Sequence, residues 1–579
     1  RYRYLLDGEG PFADPASRYQ PEGVHGPSEV VARLGPRRPE HAAGAARAWR
    51  GLPVHAQVIC ELHVGTFSPA GTFAGVAESL SELAAAGYTA LELMPVGEFP
   101  GTRNWGYDGV FVSAAQSSYG GPEELAALCD AAHEQGLAVL LDVVYNHLGP
   151  EGSVHEHFGP YFTDRYATPW GHAINLDGPG SDAVRAYFIE SACYFVGEIG
   201  IDGLRLDAVH AIVDPTARPF LGELAEAVHA TGRAVGRAVS VVAENASNDP
   251  RLFRPVEAGG LGLDGAWDDD FHHGLRVALT GERDRWFADF CGIEDLARAM
   301  TDGYALAGRP SVAFGHRHGA LPPDGVRGEE LVVYAQNHDQ IGNAGFGERI
   351  AARLPLEAQF PVSAAVLLAP FVPLRFMGEE YGETAPFFFF TSHGDRDLIE
   401  AVRRGRAAEV GAAAGSPGPD PQDPATFEAS RPHRSLARSG LHAELLHWQR
   451  LLLELRRNEP ALGSLDARRT HAHAEVADES LIWTRHADGY LAAPAIAVVC
   501  RFAREAAPGK IAVDAGPLAG RAWEVLACRG AVDLSPGAVL GGPAHALGPQ
   551  GPDVVVSLDR YAALVLRERR AGTGTASAA

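Results

Sequence analysis

Eight short apolar runs constrain this chain more than any other feature of its 579 residues. They are QVICELH (57–63), TALELMPV (89–96), AVLLDVVYN (138–146), DGLRLDAV (202–209), AVSVVAE (238–244), DGAWDDD (264–270), ELVVYAQN (330–337) and VPLRFMG (372–378). Helical stretches with an amphipathic period fall between them, at 74–87, 122–136, 182–197 and 217–233. Fully apolar strands alternating with helices predict a parallel sheet buried on both faces, and eight of them predict an α/β fold of the (β/α)8 TIM-barrel type. A doubly wound sheet is the rival, but no glycine fingerprint of that fold follows the first run.

The flanking regions read differently. Residues 1–50 are rich in Pro, Gly and Arg, and the chain starts at Arg1 directly on a strand-like RYRYLL. The expectation is a remnant of an amino-terminal β-sandwich domain with a linker, in a chain without its natural amino terminus. The barrel then occupies 51–470, with a loop excursion at 147–181 full of Gly, Pro, His and aromatic residues; long loops in compact domains are usually functional. Residues 411–433 read as an irregular segment before a helix at about 441–457. Short strands separated by turn residues predict a carboxy-terminal β-sandwich domain over 471–570, and 571–579 a disordered tail.

Composition narrows the partners. Lys plus Arg number 49 and Asp plus Glu 73, which gives 49 − 73 = −24, with Lys510 the only lysine. So acidic a chain argues against nucleic acid and an anionic membrane, and leaves a neutral substrate as the easiest. No apolar run is long enough to span a bilayer. The six cysteines form no CxxC pair, which favours buried free thiols in a reducing, cytoplasmic compartment. His155 with His157, and His272 with His273, lack the further ligands a metal site needs, so no metal and no cofactor is expected. Oligomeric state is left as monomer or homodimer.

In a barrel enzyme the reactive groups sit at the carboxyl ends of strands. The third run ends in Asp142 and His147, the fourth in Arg205 and Asp207, the fifth in Glu244, and the seventh in Asn337, His338 and Asp339. Three carboxylates aimed at one mouth suit acetal hydrolysis. One carboxylic acid protonates the departing oxygen while a carboxylate attacks the anomeric carbon or activates water. The same strand ends leave open a metal-dependent hydrolase using His147, Asp207, His338 and Asp339 as ligands.

The segments DVVYNH (142–147), GLRLDAVH (203–210), VAEN (242–245) and NHDQIGN (337–343) resemble, in order and spacing, the four sequence regions of the α-amylase family of glycoside hydrolases. NWGYD (104–108) and FMGEEYG (376–382) fit as well. A narrower resemblance, to the malto-oligosyltrehalose trehalohydrolases within that family, is carried by four further segments. They are DPASRYQPEGVHGPSEVV (14–31), WDDDFHHGLRVALTGERDRWFADF (267–290), PFFFFTSHGDRDLIEAVRRGR (386–406) and PDPQDPATFEAS (419–430).

The resemblance implies a retaining hydrolase acting on maltooligosyl trehalose, with an α-1,4-glucan branching enzyme and a non-catalytic α-glucan-binding protein as alternatives. It implies Asp207 as nucleophile, Glu244 as general acid and base, and Asp339 as transition-state stabiliser. Arg205 would keep Asp207 ionised, and Tyr107, His147 and His338 would contact the sugar at the cleavage point. His210, Asp270 and His272 complete the expected substrate-binding set, Asp270 and His272 toward the trehalose side. In a retaining enzyme the two reacting carboxyls stand roughly 5–5.5 Å apart. Of Phe387 to Phe390, sugar stacking is expected for some and core packing for at least half.

Overall fold

The computed structural model describes residues 1–32, 49–168, 170–344, 346–414, 418–487, 493–504, 509–512, 518, 521–531, 539–541 and 555–569. The expected tail at 571–579 and much of the expected linker lie outside the described residues.

All eight runs become strands of one closed parallel barrel, in chain order around its circumference. They are Ile59–Leu62, Ala90–Leu93, Ala138–Val143, Gly203–Leu206, Ser240–Ala243, Gly265–Trp267, Leu331–Val333 and Val372–Phe376, called barrel strands one to eight below. The strand residues are almost wholly buried, the result of covering both faces of a parallel sheet. Register places Arg205 of strand four beside Asp142 of strand three, and Glu61 of strand one beside Glu92 of strand two. Four charged side chains therefore project from neighbouring strands that are otherwise apolar.

Every strand ends before its run does, and in two cases polar residues there cap helices instead. Asp268 accepts N–H bonds from Asp270 and Phe271 and starts the helix Asp269–Thr280, so the last three residues of DGAWDDD leave the strand. Asn337 likewise starts the helix His338–Gly342. Its side chain accepts from Asp339 N and Gln340 N, and Gln340 Oε1 accepts from Asn337 N in return, a capping box. The single helix expected at 74–87 is two, Phe73–Ala77 and Leu80–Ala86. The irregular segment expected at 411–433 contains the helix Pro424–Ala429, capped by Asp423.

By internal contacts the chain forms two compact units, each built from separate stretches of sequence. The first holds residues 1–267, 336–353 and 374–438. In it the hairpin Tyr4–Leu6/Glu9–Phe12 packs on the excursion after strand three: Phe12 stacks on His157 with ring centroids 4.3 Å apart. That excursion is itself ordered by an antiparallel hairpin, Phe162–Thr168 with Gly171–Ile174.

The second unit holds residues 268–335, 354–373 and 439–579. Its described residues include a seven-stranded antiparallel sheet, the expected carboxy-terminal β-structure. The long strand Val555–Arg569 pairs with Gly509–Ala512 along its first part and with Ile496–Phe502 along its second, while Ala522–Ala531 lies on its other edge. Helices Ile293–Asp302 and Gln359–Leu367 pack on this sheet. Buried Arg456 of the helix Gly440–Asn458 donates to the carbonyls of Leu367, Ala369 and Phe371.

Candidate active site

Arg205 is the centre of the site, fully buried on strand four. Its Nη1 donates to both carboxylate oxygens of Asp142, at 2.8 and 2.7 Å, and to Asp207 Oδ1 at 2.8 Å. Its Nη2 lies 3.3 Å from Glu244 Oε2, and its guanidinium rests 4.3 Å over the ring of Trp267. One cation thus gathers three carboxyl groups from strands three, four and five. Burying so many charges together is tolerable only because they are mutually paired and hydrogen-bonded.

Asp207 is buried and aimed by two neighbours. Asn146 Nδ2 donates to Asp207 Oδ2 at 2.7 Å and to the Asp207 carbonyl at 2.8 Å. With Arg205 on the other oxygen, both carboxylate oxygens are held by donors, which fixes the direction in which the group points.

Glu244 is treated differently. Burial pushes its carboxyl up to about 8; Arg205 opposes the rise, and the charges of Asp207 and Asp339 add to it. The backbone N–H of Ala208 donates to Glu244 Oε2 at 2.6 Å. Ala208 achieves this from a left-handed conformation, φ 40° and ψ 51°, that costs a non-glycine residue on the order of 1–3 kcal/mol. A carboxyl raised in this way is suited to donate a proton, and Asp207 on the neighbouring strand end to attack.

Asp339 sits in the first turn of its capped helix, where Asn343 Nδ2, four residues on, holds Oδ1 at 2.7 Å. His338 is buried beneath it. Glu61 binds both the ring Nδ1 and the backbone N–H of His338, the latter at 3.1 Å, and His338 Nε2 meets the Tyr107 hydroxyl at 2.8 Å. Burial works against the His338 charge, but the ion pair with Glu61 and the nearby Asp339 carry its pKa above the ordinary histidine value. Tyr107 stacks on His338 at 5.2 Å and donates to Asp142 Oδ2 at 2.6 Å, which joins His338 to Arg205 through Asp142. Burial raises Asp142 itself to about 6 against the pull of Arg205.

His147 bonds the Tyr107 carbonyl through Nε2 at 2.9 Å, and burial lowers its pKa, so the neutral ring is favoured. Its face is stacked at 5.0 Å by Trp170, a 45% exposed indole at the tip of the excursion hairpin. Seven of the expected site residues therefore form one cluster: Tyr107, His147, Arg205, Asp207, Glu244, His338 and Asp339. His210 lies close in sequence to Asp207, exposed on the turn Val209–Ala211 that follows Ala208.

Asp270 and His272 belong to the second unit. Both are buried and bonded to backbone there, Asp270 Oδ2 by Leu306 N–H at 2.6 Å and His272 Nδ1 to the Ala335 carbonyl at 2.5 Å. The capping Asp268 turns both into the first turn of a helix.

Four residues with evident work at the site carry no role in the sequence reading: Glu61, Asn146, Trp170 and Asn343. Glu61 had a signal, a lone carboxylate inside an apolar run; Asn146 and Asn343 lie within quoted motifs. Of the phenylalanine run, Phe387 and Phe390 are buried, Phe387 stacking on Trp105 at 5.4 Å, while Phe388 and Phe389 are partly exposed. Next to them His393 approaches Asp108 at 3.5 Å and Glu151 at 3.2 Å, joining FFFFTSHGD to NWGYD. Among the described residues, no group of three or more His, Cys, Asp or Glu is placed to hold a metal ion. No helix of the described residues is long and apolar enough to cross a membrane.

The alpha amylase catalytic-domain family matches residues 41–166. A malto-oligosyltrehalose trehalohydrolase of Arthrobacter ramosus is 46% identical over 462 residues, 79% of each chain. That of Saccharolobus solfataricus is 44% identical over 431 residues, 74% of this chain and 73% of its own. A crystal structure of an alpha-amylase-like protein of Salmonella typhimurium superposes with a TM-score of 0.83 at 32% identity, covering 98% of this chain and 90% of the other. With the barrel, the three carboxylates and this extent of likeness together, the chain belongs to the malto-oligosyltrehalose trehalohydrolase family.

Proposed function

We propose that the protein hydrolyses the α-1,4-glucosidic bond next to the terminal trehalose unit of maltooligosyl trehalose, releasing trehalose and a malto-oligosaccharide with retained configuration. The observation that carries this reading is the shared guanidinium: Arg205 contacts Asp207 and Glu244 at once, and burial raises the Glu244 carboxyl to about 8. Asp207 attacks the anomeric carbon as Glu244 protonates the departing oxygen, which yields a glycosyl ester on Asp207. Glu244 then takes a proton from water, and the water oxygen attacks the same carbon from the opposite face and frees Asp207. Asp339, His338 and His147 bind hydroxyls of the reacting sugar and Tyr107 lies along it, which favours a distorted ring. His210, Asp270 and His272 are proposed as outer contacts of the substrate.

The paired charges of the site suit a neutral oligosaccharide, and no step needs a cofactor. The six cysteines are free thiols, which supports a cytoplasmic setting. Incubation with maltooligosyl trehalose and with amylose tests the reading. Free trehalose from the first, with the fresh anomer α by NMR, is expected. Branch points formed in amylose without trehalose release would replace hydrolysis by transfer, and an inverted fresh anomer would remove the covalent ester.

A further inference from the structure

Three successive residues of the loop after strand eight, Ser392, His393 and Gly394, hold two other loops of the first unit, and the mechanism leaves all three unused. Ser392 Oγ accepts the backbone N–H groups of Thr102 and Arg103, each at 2.9 Å. His393 Nε2 lies 3.5 Å from Asp108 of the NWGYD turn, and its Nδ1 3.2 Å from Glu151 of the excursion. Gly394 N–H donates to both oxygens of Glu151, at 3.1 and 3.0 Å. We propose that His393, as its imidazolium, is a positioning residue that latches the loop after strand eight to the NWGYD turn and the excursion, and so seats Tyr107 and His147 against the reacting sugar. The proposal rests on the reaction described above and adds to it a group that acts through Asp108.

The surroundings of His393 call for a charged ring. It is buried, and each ring nitrogen faces a carboxylate at ion-pair distance without hydrogen-bond alignment. A neutral imidazole has one N–H and one bare lone pair, so between two carboxylates it would turn that lone pair on one of them. The imidazolium presents an N–H to both. Burial works against its charge, but Asp108 and then Glu151 outweigh it and carry the pKa above 6.5. At Asp108 burial raises the carboxyl, yet His393, with Asn104 and His147, holds it below its ordinary value. Glu151 has His25 on its other side, at 3.2 Å. Asp395, on the same loop as His393, accepts instead from the backbone of Asp397 and Leu398.

Asp108 passes this hold to the site. It directly follows Tyr107, and Asn104 Nδ2 donates to its Oδ2 at 2.6 Å while Asn104 Oδ1 accepts from Gly106 N–H at 2.7 Å. The turn is pressed on the chain leaving strand two: Gly106 has φ 106°, and a Cβ there would lie 2.0 Å from the Pro95 carbonyl oxygen. From the excursion His147 Nε2 bonds the Tyr107 carbonyl at 2.9 Å, and Gly149 N–H donates to the Gly109 carbonyl at 3.0 Å. Tyr107 and His147 thus hang on the one turn whose last carboxylate His393 holds.

The readout is KM for maltotetraosyl trehalose set against kcat, because the latch seats sugar-binding groups while the alkaline fall in rate belongs to Glu244. The imidazolium is present below the folded pKa of His393 and is lost as pH rises through it. Wild-type KM should therefore be low below pH 6.5 and rise about ten-fold at alkaline pH, the worth of one hydrogen bond to a charged group. His393→Gln, and Asp108→Asn, which keeps the bond to Asn104, should each show the high KM at every pH with kcat changed much less. The double variant should be no worse than either single one. Support of the fold alone would move neither KM nor its pH dependence. A wild-type KM that is flat with pH, a low KM in folded Asp108→Asn, or additive effects in the double variant would overturn the latch. Should His393→Gln fail to fold, Asp108→Asn and the wild-type curve decide. Wild-type protein that releases no trehalose at any pH would overturn the reaction itself, an outcome distinct from a flat KM.

Discussion

The backbone N–H of Ala208 donates to Glu244 Oε2 at 2.6 Å, from a left-handed residue that directly follows Asp207. The strained turn thus serves both carboxyls: it ends strand four at the nucleophile and fixes the orientation of the proton donor. Because burial pushes Glu244 up to about 8, its acid form persists through neutral pH. The expected kcat/KM profile therefore falls on the alkaline side near that value. Glu244→Gln is expected to lose about 10²–10⁴-fold in rate, and with it the alkaline limb.

The same shift has a stability consequence. The folded carboxyl binds its proton more tightly than the unfolded one, whose value is 4.5. The stabilisation is complete below 4.5 and is lost as pH rises toward 8. Thermal melts of wild type and Glu244→Gln across that window should show a shallower pH dependence in the variant. Parallel curves would mean that Glu244 is not protonated in the native protein.

Asn146 grips Asp207 at two points, the side-chain Oδ2 and the carbonyl. Asn146→Ala removes a hydrogen bond to a charged group, worth about 1.5–3 kcal/mol. A fall in kcat of roughly ten- to hundred-fold is expected, with KM changed by much less because Asn146 touches the nucleophile and not the sugar. A KM effect larger than the kcat effect would place Asn146 in substrate binding instead.

Trp170 stacks on His147 from the tip of the excursion hairpin with nearly half its surface exposed. Truncation to Ala costs a stacking contact of about 0.5–1.5 kcal/mol. KM for maltooligosyl trehalose should rise several-fold while the melting temperature stays within about 2 °C, since exposed substitutions usually shift stability by less than ±0.5 kcal/mol. An unchanged KM would leave the indole without a part in binding.

Much of the site was legible because each barrel strand is an apolar run that must end in something polar, and Asp207, Glu244 and the NHD triplet are those ends. What escaped notice depends on choices made in three dimensions. Asp268 and Asn337 stop their strands early by capping helices, a competition that an unbroken apolar pattern conceals. Ala208 carries no sign of its left-handed backbone, since alanine is not a residue that prefers it. Asp270 and His272 directly follow the sixth strand in sequence, and the cap at Asp268 places both in the first turn of a helix, each with a bond to backbone. The two compact units are discontinuous in sequence because helices Ile293–Asp302 and Gln359–Leu367 contact the carboxy-terminal sheet, pairings that no local signal announces.

Glu61 is the residue whose role is most open to direct test. It is fully buried on strand one, binds His338 at both the ring and the backbone, and lies in register with Glu92, whose own carboxyl burial raises far above the ordinary range. With Glu92 neutral, Glu61 is the charge that holds His338 protonated, against burial and the positive charge of Arg205 and alongside Asp339. Glu61→Gln keeps the shape and removes that charge, so the His338 pKa should drop below the value in wild type. Histidine NMR titration reads this directly. Activity at neutral pH should fall and recover in part as pH is lowered, because acid restores the imidazolium that donates toward Tyr107. The linkage has the matching sign: His338 stabilises the fold below its unfolded value of 6.5 and loses that contribution as pH rises through its higher folded value. Glu61→Asp, which retains the charge, should keep the raised pKa. If His338 titrates identically in wild type and Glu61→Gln, the chain from Glu61 through His338 and Tyr107 to Asp142 only shapes the site and does not set its charge.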